Sequence, residues 1–230
     1  MLGVAPDRLH VTGHTKYDVE PKIVGDDAVR AAREAIAPHW GVDVPIIVLG
    51  SIRPGEEDAW FSACAAMWRA EKRVRVIVAP RHMEKVEYFA EKLEKLGARY
   101  TRWSQGRAGA DADVILLDVM GNLEFAYAIA DLAFVGATLV DIGGHNPLEP
   151  AMYGVPVVVG PYTSVIRDVV GEMREARGIL EVAGEQELPG IVERVCGRDD
   201  VLRTIGKRGQ DVWRRHRGSA KRVISIMTGV

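Results

Sequence analysis

The chain has 230 residues, of which 47% are hydrophobic and 27% charged, so it is long enough and apolar enough to bury a core. A net charge of −2 gives no basis for general nucleic-acid binding. The longest apolar runs, such as PIIVLG and VPVVVG, fall far short of the roughly 20 residues of a membrane helix, and MLGVAPDRLH lacks the apolar segment of a secretory signal. Cys64 and Cys196 stand in helical patterns without metal-ligand spacing, and the histidines are scattered. Buried free thiols, a reducing cytoplasmic compartment and no metal site are the expectations.

Residues 8–19, RLHVTGHTKYDV, read as a lead-in strand and turn, with Lys16 beside it as an exposed lysine or an anion contact. AVRAAREAIAPHW reads as a helix closed by Pro38 and Gly41. PIIVLG (45–50) is a strand, and Pro54 begins the next helix, with Glu56, Glu57 and Asp58 as partners of its dipole. Trp60, Cys64, Met67 and Trp68 fall on one core-facing side of that helix. Ser51 and Arg53 are expected in the loop between strand and helix, where a ligand group could be met.

VRVIVAP (74–80) is the second strand, and a helix over RHMEKVEYFAEKLEKLG follows, stopped by Gly97. Arg81 and His82 stand at the strand's carboxyl end, and an arginine there suits forked recognition of phosphate or carboxylate. RYTRWSQG gives a short strand and loop, GRAGADAD a turn, and DVILLD a buried strand. MGNLEFAYAIAD is a helix starting near Gly121, DLAFVG the next strand, and a second helix starts near Pro147. Asn146 as N-cap, Pro147 in the first helical position and Glu149 at the third are a helix-start signature in themselves. The Gly143–Gly144 pair is not required by capping and is expected to let a ligand approach the backbone. PVVVGP is a strand, a helix spans about Val165–Arg174, ILEVA is a short strand, and two or three helices finish the chain. The basic run KRGQDVWRRHRGSAKR reads as a solvated helical face, with attraction to anionic lipid the weaker alternative.

Strands alternating with helices predict a doubly wound α/β fold with a parallel sheet. Two strand-to-helix turns, before Gly121 and before Pro147, would set two helix N-termini side by side as an anion site at the carboxyl edge of the sheet. The expected occupant is the phosphate end of a nucleotide.

VTGHTKYD, GS-x-x-PGEE, PRH, DVMGNLEFAYAIADLAFVGATLV and GGHNPLEPAMYGVPVVVGP resemble, in that order, the 3-deoxy-D-manno-octulosonic acid (Kdo) transferases of lipopolysaccharide synthesis. The GGHNPLEP block, which includes His145, is the most specific part, and the resemblance covers the chain from Val11 onward. It implies the C-terminal half of a two-domain GT-B glycosyltransferase, here one donor-binding domain over residues 1–230. CMP-Kdo is the implied donor substrate, with no cofactor. The resemblance carries CMP contacts to Pro80 and Arg81, to Met120, Gly121 and Asn122, and to Asn146, Pro147, Leu148 and Glu149.

The family's turn reads Met-Gly-Glu and this chain has Asn122; its Ser-Thr-His is replaced by Ser51, Ile52 and Arg53. The family's membrane anchor, lipid A acceptor surface and presumed general base belong to an N-terminal half. No carboxylate pair in this chain stands out as a base, so the catalytic residue is unassigned and this chain alone is expected to transfer little sugar. A partner supplying that half, and a place at the cytoplasmic face of the inner membrane, follow from the resemblance. Two alternatives remain open: another GT-B nucleotide-sugar transferase or epimerase, and a non-catalytic nucleotide-binding module that needs a partner chain.

Overall fold

The computed structural model describes residues 5, 8–10, 12, 18, 20–36, 38–41, 43–106 and 112–228. The expected lead-in strand and turn, with Lys16, fall largely outside these residues, as does most of the GRAGADAD turn. After helix α1 (Asp26–Ile36) the chain alternates: β1 (Ile46–Ile52), α2 (Glu57–Arg69), β2 (Arg75–Pro80), α3 (Val86–Leu96), β3 (Tyr100–Arg102), β4 (Val114–Leu116), α4 (Leu123–Ala128), β5 (Leu132–Val135), α5 (Leu148–Ala151), β6 (Val157–Val159), α6 (Arg167–Glu175) and β7 (Leu180–Glu181). Three helices, α7 (Leu188–Cys196), α8 (Asp200–His216) and α9 (Ser219–Thr228), follow.

The strands form one seven-stranded sheet in the order β3-β4-β2-β1-β5-β6-β7, and every pairing is parallel. The continuous Val/Ile/Leu runs explain this, because strands covered by helices on both faces need no polar side. Along β1 the side chains alternate between two cores. Ile47 and Leu49 pack with Trp60 of α2 and Phe89 of α3, while Ile46 and Val48 pack with Trp40 and with Tyr127 of α4. Without edge strand β3, the order is that of a doubly wound fold whose direction reverses between β1 and β5, the place where such folds bind ligands.

Gly97 ends α3 in the left-handed conformation expected of a C′ glycine (φ 73°). The turn before α3 is tighter than expected, a 3₁₀ turn over Met83–Lys85. Helix α8 lies directly against the turn after α5. A Cβ on Gly206 would sit 2.1 Å from the Gly154 carbonyl oxygen, so only glycine allows that crossing. Three basic residues of the C-terminal run are paired with acids: Arg214 with Asp211, His216 with Glu172 and Arg217 with Glu20. Among the described residues no helix is long and apolar enough to cross a membrane.

Candidate functional site

The carboxyl edge of the sheet is shaped first by a bulge. Ser51 has φ +52°, and the β1–β2 register breaks between Gly50 and Ile52. Ser51 therefore lies inside β1 rather than in the loop after it, and the bulge turns the chain so that Arg53 leaves over the sheet end. The Arg81 N–H donates to the Ile52 carbonyl at 3.1 Å, which fixes the end of β2 beside that of β1. Arg53 Nη1 then lies 2.6 Å from His82 Nε2. A guanidinium can only donate, so Nε2 is the acceptor and a neutral His82 carries its proton on Nδ1.

The loop after β5 brings a second histidine to the same place. The His145 N–H donates to the Gly136 carbonyl at 3.2 Å. Burial, with the nearby charges of Arg81, Arg53 and His82, pushes the His145 pKa down to about 4. His145 is thus neutral at pH 7, and its buried Nε2 has no protein partner. Arg53, Arg81, His82 and His145 form one donor-rich corner from three separate stretches of sequence.

Beneath this corner lies a carboxylate. Glu56 is fully buried, Oε2 accepts from the N–H groups of Arg53 and Ala137, and Oε1 accepts from those of Thr138 and Leu139, at 2.8–2.9 Å. Burial raises its pKa, opposed by these backbone donors. Glu57 and Asp58 stand in the first turn of α2, as expected of dipole partners, and the expectation is corrected for Glu56. Glu56 clamps two loops together. Glu57, also buried, accepts from the Gly55 N–H at 2.7 Å and from the Tyr88 hydroxyl at 2.5 Å. Asp58 alone is exposed, paired with Lys92 at 2.8 Å.

A cleft of about 330 Å³ opens between α4 and α5, lined by Gly121, Asn146, Leu148 and Glu149 among the sequence candidates. Met120 is 82% exposed on the turn before α4, and the Asn122 side chain donates back to its carbonyl at 3.2 Å. Asn146 Oδ1 accepts from the Leu148 N–H at 3.1 Å, and Asn146 Nδ2 lies 3.5 Å from Glu149 Oε1. Pro147 and not Asn146 is the N-cap, and α4 begins two residues after Gly121, with Asn122 as its cap. These helices have four and six residues. Two such short helices sum few peptide dipoles, so the expected pair of positive helix ends reduces to a few local N–H groups, and the arginines hold the formal charge.

The remaining candidates separate. Pro80, Pro147 and Leu148 are buried, and of these Leu148 lines the cleft. Gly143 and Gly144 have φ of +105° and +92°, and Cβ atoms there would fall 2.5 Å from Val165 and 2.6 Å from Ile166. The room above these glycines is filled by the chain itself, which corrects the expectation of close ligand approach. Lys16 lies outside the described residues.

Sequence reasoning missed six cleft residues: Lys22, Leu123, Glu124, Tyr127, Met152 and Trp213. Trp213 sits in a run read only for its basic charge. Its spacing from Leu202, Gly206, Gly209 and Val212 on the buried face of α8 was the available signal. Lys22 carries no local signal, because its place depends on the fold.

Comparison with protein-family profiles finds no match. Curated proteins do match. The chain is 30% identical over 228 residues to the 3-deoxy-D-manno-octulosonic acid transferase of Haemophilus influenzae, covering 98% of this chain and 52% of that protein. It is 35% identical over 142 residues to the enzyme of the same name from Aquifex aeolicus, covering 62% of this chain and 39% of that protein. Over nearly its whole length the chain is similar to about half of a 3-deoxy-D-manno-octulosonic acid (Kdo) transferase. It spans about half the length of the Haemophilus influenzae Kdo transferase.

Among solved structures, the C-terminal CMP-Kdo binding domain of WaaA from Acinetobacter baumannii superposes with a TM-score of 0.74 at 25% identity, covering 86% of this chain and 98% of that domain. Anabaena HepE in complex with UDP and glucose superposes with a TM-score of 0.62 at 16% identity, over 90% of this chain and 53% of HepE. The fold of this Kdo transferase relative is therefore that of a GT-B glycosyltransferase domain.

Proposed function

We propose that this chain is the donor-binding half of a Kdo transferase, a single domain that holds CMP-Kdo for transfer of Kdo to a lipid A precursor. The observation that carries the reading is the junction of two features within one loop. His145 belongs to the cationic corner with Arg53 and Arg81, and its neighbour Asn146 lines the largely apolar cleft with Leu148 and Glu149. A nucleoside monophosphate has that division, with a base and ribose for the cleft and a phosphate for the arginines.

In this reading Arg81 and Arg53 stabilise the charge that grows on the CMP phosphate as the glycosidic bond breaks. His145, neutral at pH 7, contributes Nε2 as a hydrogen-bonding group. Glu149, exposed at the cleft rim, accepts from the ribose hydroxyls, as carboxylates do in dinucleotide folds. Pro80, Met120, Gly121, Asn122 and Pro147 fix the backbone around the ligand. The acceptor hydroxyl and the base that deprotonates it come from the relatives' other half, working at the cytoplasmic face of the inner membrane. Without that half, transfer is slow or absent.

Calorimetric titration with CMP, and with UMP as control, tests the reading. Expected are CMP-selective binding and a loss of about tenfold or more in Arg81→Ala, which removes a charged partner of the phosphate. Glu149→Ala should weaken CMP as well. Tighter binding of UMP than CMP, or no CMP binding by folded protein, overturns it.

A further inference from the structure

The cleft holds one charge pair that the assigned roles leave unused. Lys22 Nζ lies 2.6 Å from Glu124 Oε2, with side-chain exposures of 58% and 18%, and both residues line the cleft beside Gly121 and Leu123. Glu124 Oε1 accepts from the Lys22 backbone N–H at 3.2 Å and from the Tyr153 hydroxyl at 2.7 Å. A carboxylate has about four acceptor sites, two on each oxygen. Oε1 has two of these donors and Oε2 has one, so Oε2 retains acceptor capacity. The Lys22 ammonium has three N–H donors, of which Oε2 takes one. Side by side at the cleft wall stand an anionic acceptor on α4, held by the Tyr153 hydroxyl, and a cationic donor. The adjoining floor is apolar: Leu123, Leu148, Met152 and Trp213. Such a floor covers the faces of a flat ring and leaves its polar edge to the charge pair.

We propose that Glu124 and Lys22 are specificity residues that read the edge of the nucleotide base. Glu124 Oε2 accepts from the exocyclic amino group of cytosine, and Lys22 Nζ donates to the adjacent ring nitrogen. The inference rests on the CMP reading above and extends it to the choice of base. A carboxylate accepting from that amino group is an established pairing. Uracil in the same pose sets a carbonyl oxygen against the carboxylate, two acceptors facing each other, so the pair rejects it.

The test is a CMP and UMP titration of the wild type, Glu124→Gln and Lys22→Met, each with its thermal midpoint. The wild type should prefer CMP. In Glu124→Gln, CMP affinity should fall about tenfold while UMP affinity holds or rises, since one good base contact is worth about that factor. Lys22→Met should lower CMP affinity more than UMP affinity, and it decides the matter if Glu124→Gln does not fold. Folded variants that keep the wild-type CMP-to-UMP ratio, or that lose both nucleotides equally, overturn the base-reading role and leave the CMP reading standing. A wild type that binds no CMP overturns both.

Discussion

The Glu56 carboxylate accepts the backbone N–H of Leu139 at 2.9 Å, joining residues 83 positions apart. This bond, with those from Ala137 and Thr138, crosses the place where the strand order reverses between β1 and β5. Doubly wound folds commonly leave that crevice to a ligand's phosphate. Here a buried side chain of the protein occupies it. In the proposed donor-binding reading, the phosphate is then met further out, by Arg53 and Arg81.

Glu56→Gln should destabilise the protein by about 2–4 kcal/mol. Each carboxylate oxygen accepts two N–H groups, so an amide nitrogen in either position faces two donors and leaves them unsatisfied in a buried site. The urea midpoint with an unchanged slope is the measurement. A midpoint equal to wild type would mean that the two loops hold together without the clamp.

Gly50→Ala should cost about 1–3 kcal/mol and weaken nucleotide binding together with stability. The new methyl would lie 1.8 Å from the Tyr127 hydroxyl oxygen, so the ring must leave the place where it lines the cleft. Thermal denaturation and a CMP titration on the same preparation check both effects. An alanine variant with wild-type stability would show that Tyr127 does not pack over Gly50.

His145 sets a pH dependence whose sign follows from its depressed pKa. The ordinary value is 6.5 and the folded value is about 4. Between these, the unfolded chain binds a proton that the folded chain does not, so stability falls as the pH drops from 6.5 toward 4 and this contribution levels off below that. The wild-type thermal midpoint should fall more steeply over that window than that of His145→Gln. Parallel curves for the two proteins would contradict the buried, neutral imidazole.

The strands were legible in the sequence because uninterrupted apolar runs such as PIIVLG have one stable use in a chain of this length, a strand covered on both faces. The alternation of strand and helix then determined the parallel sheet, with PRH at the end of β2 and NPLE at the start of α5. Helix boundaries were less certain, since Asn146 and Pro147 both satisfy capping preferences and only the backbone path selects between them. What the sequence could not decide is which distant groups meet. Glu56 and Asp58 look alike as acids in one helical turn, yet tertiary structure buries the first on four N–H groups and leaves the second exposed to solvent, paired with Lys92. Gly143 and Gly144 could serve a ligand or the fold, and the packing of Val165 and Ile166 assigns them to the fold. Lys22 and Trp213 reach the cleft from opposite ends of the chain. Local pattern records which segments bury their apolar faces. Only the closed structure fixes which backbone donors and which remote side chains those segments bring together.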